Sequence, residues 1–171
     1  MEGEIVNRVA ASKLVTIDLE EMYPEGERGV IDLKDWLFEG LVLREKDFRA
    51  SVDEHDWSVY QDKYVAITCS NEAIIPSWAN LLISISLAPY AKKIVVGSLE
   101  LLEAQLYEQI IDSLPLDLYT DRPVIIKGCS EKNIPDTAYA SLSAKLLPVV
   151  SSLMYGEACS SVPLFKKKKA K

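Results

Sequence analysis

The stretch Tyr64-Val-Ala-Ile-Thr-Cys-Ser-Asn-Glu-Ala-Ile-Ile-Pro76 decides the fold. Its apolar run reads as a buried strand over 64–69 and its polar centre as a turn. Pro76 reads as the start of a helix, where a missing N–H costs nothing. The arrangement returns at Val124-Ile-Ile-Lys-Gly-Cys-Ser-Glu-Lys-Asn-Ile-Pro135, and a shortened form closes the chain at Cys159-Ser-Ser-Val-Pro163. All three cysteines are therefore followed by serine, and then by Ile-Pro or Val-Pro.

Outward from these stretches the pattern alternates. A helix is predicted over 76–89, a strand over 93–97, a helix over 99–114 capped by Ser98, a strand over 124–129 and a helix over 135–150 that Pro148 breaks or kinks. A last strand is expected over 153–158. Alternation of this kind favours a parallel sheet covered on both faces. The expected fold is a single α/β domain over 1–165. It has three layers, a mostly parallel sheet with helices on both faces, and an N-terminal edge strand with a helical extension.

Upstream, 4–11 reads as a short amphipathic helix. Residues 14–19 read as a half-buried strand in which Val15, Ile17 and Leu19 alternate with polar neighbours. The turn formers of 23–29 imply a loop, and Asp32 caps a short helix through Phe38. A helix over 44–60 carries Phe48, Val52, His55 and Val59 on one stripe, which turns the only histidine inward. The longest apolar stretch, 78–90, is interrupted by Asn80, Ser84 and Ser86 and is too short to span a bilayer, so it reads as a buried helix.

With 171 residues, 49% hydrophobic and 26% charged, the chain is long enough to bury a sizeable core. The formal charge is −7, yet Lys166 to Lys169 and Lys171 put five positive charges in the last six residues and leave about −12 on the rest. Such an acidic body argues against nucleic-acid binding, which needs a cationic face to displace counterions. Residues 166–171 read as a basic, solvated tail. Charges at Glu2, Glu4, Arg8 and Lys13 leave no room for the apolar core of a signal peptide, and a cytoplasmic location is expected, with no membrane partner.

An odd number of cysteines in a reducing compartment makes a disulfide framework unsuitable, so the thiols are judged as core residues, nucleophiles or ligands. In a parallel sheet all strands end at one edge, which is where Cys69 and Cys129 fall and where Cys159 follows a candidate strand. A common strand order sets the Val65 strand beside the Val124 strand with the Lys93 strand outside. Cys69, Cys129 and Cys159 with His55 then form a tetrahedral set for zinc or iron, or four ligands for an iron–sulfur cluster. Glu157 is an alternative ligand or a supporting base.

Other roles stay open. Each cysteine also fits a small apolar core residue, and His55 a hydrogen-bonded core histidine. Lys127 and Lys132 flank Cys129 and would lower its thiol pKa, which suits a metal-free thiol- or persulfide-transfer enzyme. Ser70, Ser130 and Ser160 share one histidine and bond more naturally to loop backbone. The chain contains no Gly-x-x-x-x-Gly-Lys, Gly-x-Gly-x-x-Gly or Gly-x-Ser-x-Gly motif. A binding module with purely structural cysteines is the third possibility.

The segments His55-Asp-Trp57, Cys69-Ser with Ile75-Pro-Ser-Trp78, Lys127-Gly-Cys-Ser130 with Ile134-Pro, and Met154-Tyr-Gly-Glu-Ala-Cys-Ser-Ser-Val-Pro163 carry a resemblance over nearly the whole chain. They resemble an uncharacterised bacterial family, the domain of unknown function numbered 2480 and typical of Bacteroidetes. The resemblance brings no established activity. It implies a cytosolic protein whose genes lie near iron–sulfur assembly genes, and hence iron–sulfur assembly proteins as partners.

Overall fold

The structure, a computed structural model, describes residues 14–71, 73–128, 131–157 and 159–168. The helix expected over 4–11 lies outside the described residues. The chain divides into two compact units. One, Glu25–Gln105, is continuous. The other is split around it, as Met1–Pro24 and Leu106–Lys171.

The inserted unit holds strands β2 (Arg28–Asp32), β3 (Tyr64–Thr68) and β4 (Lys93–Val96), all parallel in the order β2-β3-β4. The split unit holds β1 (Val15–Ile17), β5 (Pro123–Ile126) and β6 (Ser152–Glu157), again parallel in the order β1-β5-β6. An antiparallel strand, β7 (Ser160–Lys166), is added at its edge. The helices are α1 (Glu45–Glu54), α2 (Ser77–Leu87), α3 (Leu99–Asp112) and α4 (Asp136–Leu146). Among the described residues there are also 3-10 turns at Leu33–Trp36, Trp57–Tyr60 and Leu116–Tyr119.

The α/β class and the mostly parallel strands are those the alternation implies. The strand order is different. The Val65 strand pairs with β2 and with the Lys93 strand, whereas the Val124 strand pairs with β1 and β6. The crossover through α2 returns the chain beside the strand it left, and the other side of β3 is taken by β2. Sequence pattern hid β2 because Arg28-Gly29 follows a run of turn formers and only Ile31 is buried.

The two units repeat one plan, β-α-turn-β-α-β, and from the first helix onward the offset is a constant 59 residues: Tyr64 opposite Lys93 becomes Pro123 opposite Ser152. Every residue of the buried cluster at the heart of the inserted unit has a buried counterpart. Phe48, Val52, Val65 and Ile67 correspond to Tyr107, Ile111, Val124 and Ile126, and Ala79, Ile83 and Leu87 to Ala138, Leu142 and Leu146. The first strands match as Ile31-Asp32-Leu33 and Ile17-Asp18-Leu19, and each aspartate accepts the backbone N–H two residues on, at 3.1 and 2.9 Å. Left-handed backbone recurs at Asp62 and Asp121 (φ 60° and 53°) and at Gly97 and Gly156 (φ 148° and 117°). At Gly156 a Cβ would stand 2.7 Å from the Ser160 carbonyl oxygen, so only glycine fits. Beyond these glycines the units diverge, one entering α3 and the other turning back into β7.

Several boundaries move. The predicted helix over 44–60 ends at Glu54, because Asp56 accepts the Ser58 N–H at 3.0 Å and starts a 3-10 turn. Val59 then falls 51% exposed, off the predicted stripe. The 78–90 stretch is helical but not wholly buried: Ala79, Ile83 and Leu87 face the core while Leu81 and Ile85 face out. The Asp32 and Ser98 caps form as predicted, Ser98 accepting the Leu101 N–H at 3.2 Å. Strand structure continues through Lys166, and Lys167 donates its backbone N–H to the Ser151 carbonyl at 2.9 Å. Residues 169–171 lie outside the described residues.

Candidate functional site

Parallel strands deliver their C-terminal ends to one edge, and in the split unit that edge is built from the ends of β1, β5 and β6. β1 leads into Asp18, β5 into Lys127 and Gly128, and β6 ends at Glu157, just before Cys159. Lys127 is locked in place: its N–H donates to the Ile17 carbonyl at 2.9 Å and its ammonium meets Asp18 Oδ2 at 2.6 Å. Gly128 lies against Tyr155 so closely that a Cβ would come within 2.9 Å of the ring, and the Tyr155 hydroxyl donates to the Gly128 carbonyl at 3.3 Å.

This edge is acidic. Burial opposes the charged form of Asp18, but the Lys127 ammonium and the Glu20 N–H outweigh it and hold the carboxyl below its ordinary 3.8. The hydrogen bond to Asp18, with the carboxylates of Glu157 and Glu20 further off, raises the Lys127 ammonium above its ordinary 10.5. Three carboxylates thus face one ammonium. Glu20 also accepts the Glu131 N–H at 3.1 Å, which ties in the loop that leads to α4.

The carboxylate lowered by folding stabilises the protein above its unfolded pKa, and that contribution disappears as pH falls through the folded value. Asp18→Asn is therefore expected to flatten the loss of stability between neutral pH and pH ~3, as read from urea unfolding at each pH. An acid limb of unchanged slope in the variant would show that the pair carries no such linkage.

The four sequence-predicted ligands divide between the units. His55 and Cys69 lie in the inserted unit; Cys129 and Cys159 belong to the split unit. The pairing of the Val65 and Val124 strands, on which their convergence rested, is not the one found. Cys159 sits exposed in the turn between β6 and β7, and Cys69 is half-buried after β3, packed on the core of its unit. Cys129 and Ser130 lie outside the described residues. Among the described residues no three His, Cys, Asp or Glu side chains are grouped to hold a metal.

His55 ends α1 within a ring of aromatics: Trp57 at 4.6 Å, Trp36 at 5.2 Å and Tyr60 at 5.7 Å between centroids. Its Nε2 is buried without a hydrogen-bond partner among the described residues. The equivalent position in the split unit is Leu114, packed on that unit's core. His55 therefore fills a place the fold gives to an apolar side chain.

Sequence reasoning missed the Asp18–Lys127 pair. The signal was present in the recurrence of Ile-Asp-Leu, which puts an aspartate at the C-terminal end of the first strand of each unit.

A family model described as "Protein of unknown function (DUF2480)" matches residues 3–167. No curated protein and no solved structure matches the chain. Among the described residues no helix is long and apolar enough to cross a membrane.

Proposed function

The chain belongs to that family, which has no described activity, and we propose from its own residues that it handles a soft metal ion, zinc or iron, at the C-terminal edge of the split unit. Cys129 and Cys159 supply the thiolates and Glu157 an oxygen ligand. The supporting observation is the pairing of β5 with β6, with Ile126 opposite Tyr155: the two cysteines follow adjacent parallel strands of one sheet. Thiolates and carboxylates together at one edge are unfavourable unless a cation neutralises them, and soft thiolates select zinc or iron. An accessory role in iron–sulfur or metal handling fits such a site.

The competing thiol-transfer role needs Lys127 to stabilise a free thiolate. Its ammonium is already engaged by Asp18, and nearby Glu20 and Glu157 oppose a second negative charge, which favours the metal.

The test is elemental analysis of protein purified without oxygen. Cys129→Ser and Cys159→Ser are expected to lose most of the bound metal, while Cys69→Ser in the other unit keeps it. A native chain free of zinc and iron, or metal retained in full by both serine variants, would refute the assignment. Rapid alkylation of Cys129 in metal-free protein would move the balance to thiol transfer.

A further inference from the structure

The repeat supplies an internal control for the surface, because any feature the fold requires recurs in both units. α2 and α4 are equivalent helices, buried through Ala79, Ile83 and Leu87 and through Ala138, Leu142 and Leu146. Their outer faces differ. Leu81 and Ile85 are 62% and 70% exposed, and Ile74 just ahead of the helix is 91% exposed; the same positions in the split unit hold Ala140, Ala144 and Asn133. Asn80 and Ala88 run the other way, their counterparts being Tyr139 and Leu147. Folding therefore does not call for the apolar face of α2, and an exposed strip of this kind marks an interaction surface.

Three observations bear on what covers it. Residues 73–90 contain no Asp, Glu, Lys or Arg, in a chain whose formal charge is −7. An acidic molecule meets a second acidic molecule with least repulsion through such a strip, and a partner chosen by opposite charge finds nothing there to grip. Along α2 and its C-cap the apolar positions 78, 81, 85 and 88 step by three, four and three, which is the spacing of a seam between paired helices. Finally, the hydroxyls of Ser84 and Ser86 already donate to the Asn80 and Leu82 carbonyls, at 2.8 and 3.1 Å, so covering the helix strands neither donor.

From these we infer that α2 is a self-association surface, on which a second molecule lays its own α2 antiparallel across a two-fold axis, with Leu81 opposite the second molecule's Ile85. Such a contact is isologous, and it sets the two helix dipoles head to tail. At 11 residues α2 is only about 16 Å long, so the patch is smaller than a standard interface and the dimer is weak and concentration-dependent.

Sedimentation velocity from low micromolar to near-millimolar concentration tests it. The native chain is expected to pass from monomer to dimer, with little dependence on salt. Ile85→Glu should weaken the dimer at least about a hundredfold by burying a carboxylate in the seam. The double change Leu81→Lys with Ile85→Glu should recover association, since antiparallel pairing brings each lysine to a glutamate. Both side chains are exposed, so unchanged circular dichroism and thermal unfolding will show that the variants still fold. A native chain that stays monomeric throughout, or a dimer that Ile85→Glu leaves intact, overturns the inference; the first result would leave the face to a different protein.

Discussion

Replacing Phe48 with alanine is expected to destabilise the inserted unit by about 4 kcal/mol, the range found for a buried phenylalanine whose cavity cannot collapse. Phe48 has no exposed surface, and it packs against the rings of Trp36 and Trp78, both at 5.7 Å between centroids. Neither indole can swing into the space without losing its own contacts. The measurement is selective, because all three tryptophans, Trp36, Trp57 and Trp78, lie in this unit and their fluorescence reports on it. The urea midpoint of the fluorescence transition should fall by roughly 2 M for an m-value near 2 kcal/mol/M. Phe48→Leu, which keeps most of the volume, should cost less than about half as much. A shift below about 1 kcal/mol for the alanine variant would mean that the aromatic cluster is not close-packed.

Removing the carboxylate of Glu103 should cost about 3 kcal/mol, since it breaks a largely buried ion pair by taking away one partner. Arg28 at the head of β2 holds Glu103 of α3 with two parallel bonds, Nε to Oε1 at 2.6 Å and Nη2 to Oε2 at 2.9 Å. Their side chains are only 15% and 11% exposed. Arg28 keeps its bond to the Gly26 carbonyl at 2.5 Å, which moderates the loss. The discriminating result is the double-mutant cycle. Glu103→Leu combined with Arg28→Met should be clearly less destabilising than the sum of the single changes, because the two side chains interact directly and either change alone already breaks the pair. Strict additivity would mean the pair is solvated and contributes little.

The local patterns of the sequence carried far. The Ile-Pro starts of α2 and α4, the apolar runs of β3 and β5 and the caps at Asp32 and Ser98 are fixed by residues close together in the chain, and the structure keeps them. β2 and β7 were lost because Gly29 and Pro163 weaken a strand signal, although an edge strand tolerates both. The repeat was masked for a different reason. Core-facing positions such as Ile83 and Leu142 are alike rather than identical, most outer ones have drifted, and Ile17-Asp18-Leu19 stands apart from the rest of its unit. The expected meeting of Cys69 with Cys129 depended on strand order, a long-range property that no local spacing encodes. Cys129 and Cys159 follow neighbouring strands because β5 and β6 are joined by one short crossover, a pairing not foreseen from the sequence.

The Arg28–Glu103 pair also bears on how the chain reaches its native state. β1 must pair with β5, Val15 opposite Val124, and the whole inserted unit lies between them in the chain. Closing so long a loop in a disordered chain is entropically costly and slow. The ion pair joins the two ends of the insert, so that once it has formed the intervening segment is a short bridge. A growing polypeptide can complete 25–105 while the remainder is still being synthesised, and β1 stays without its neighbour until β5 has emerged.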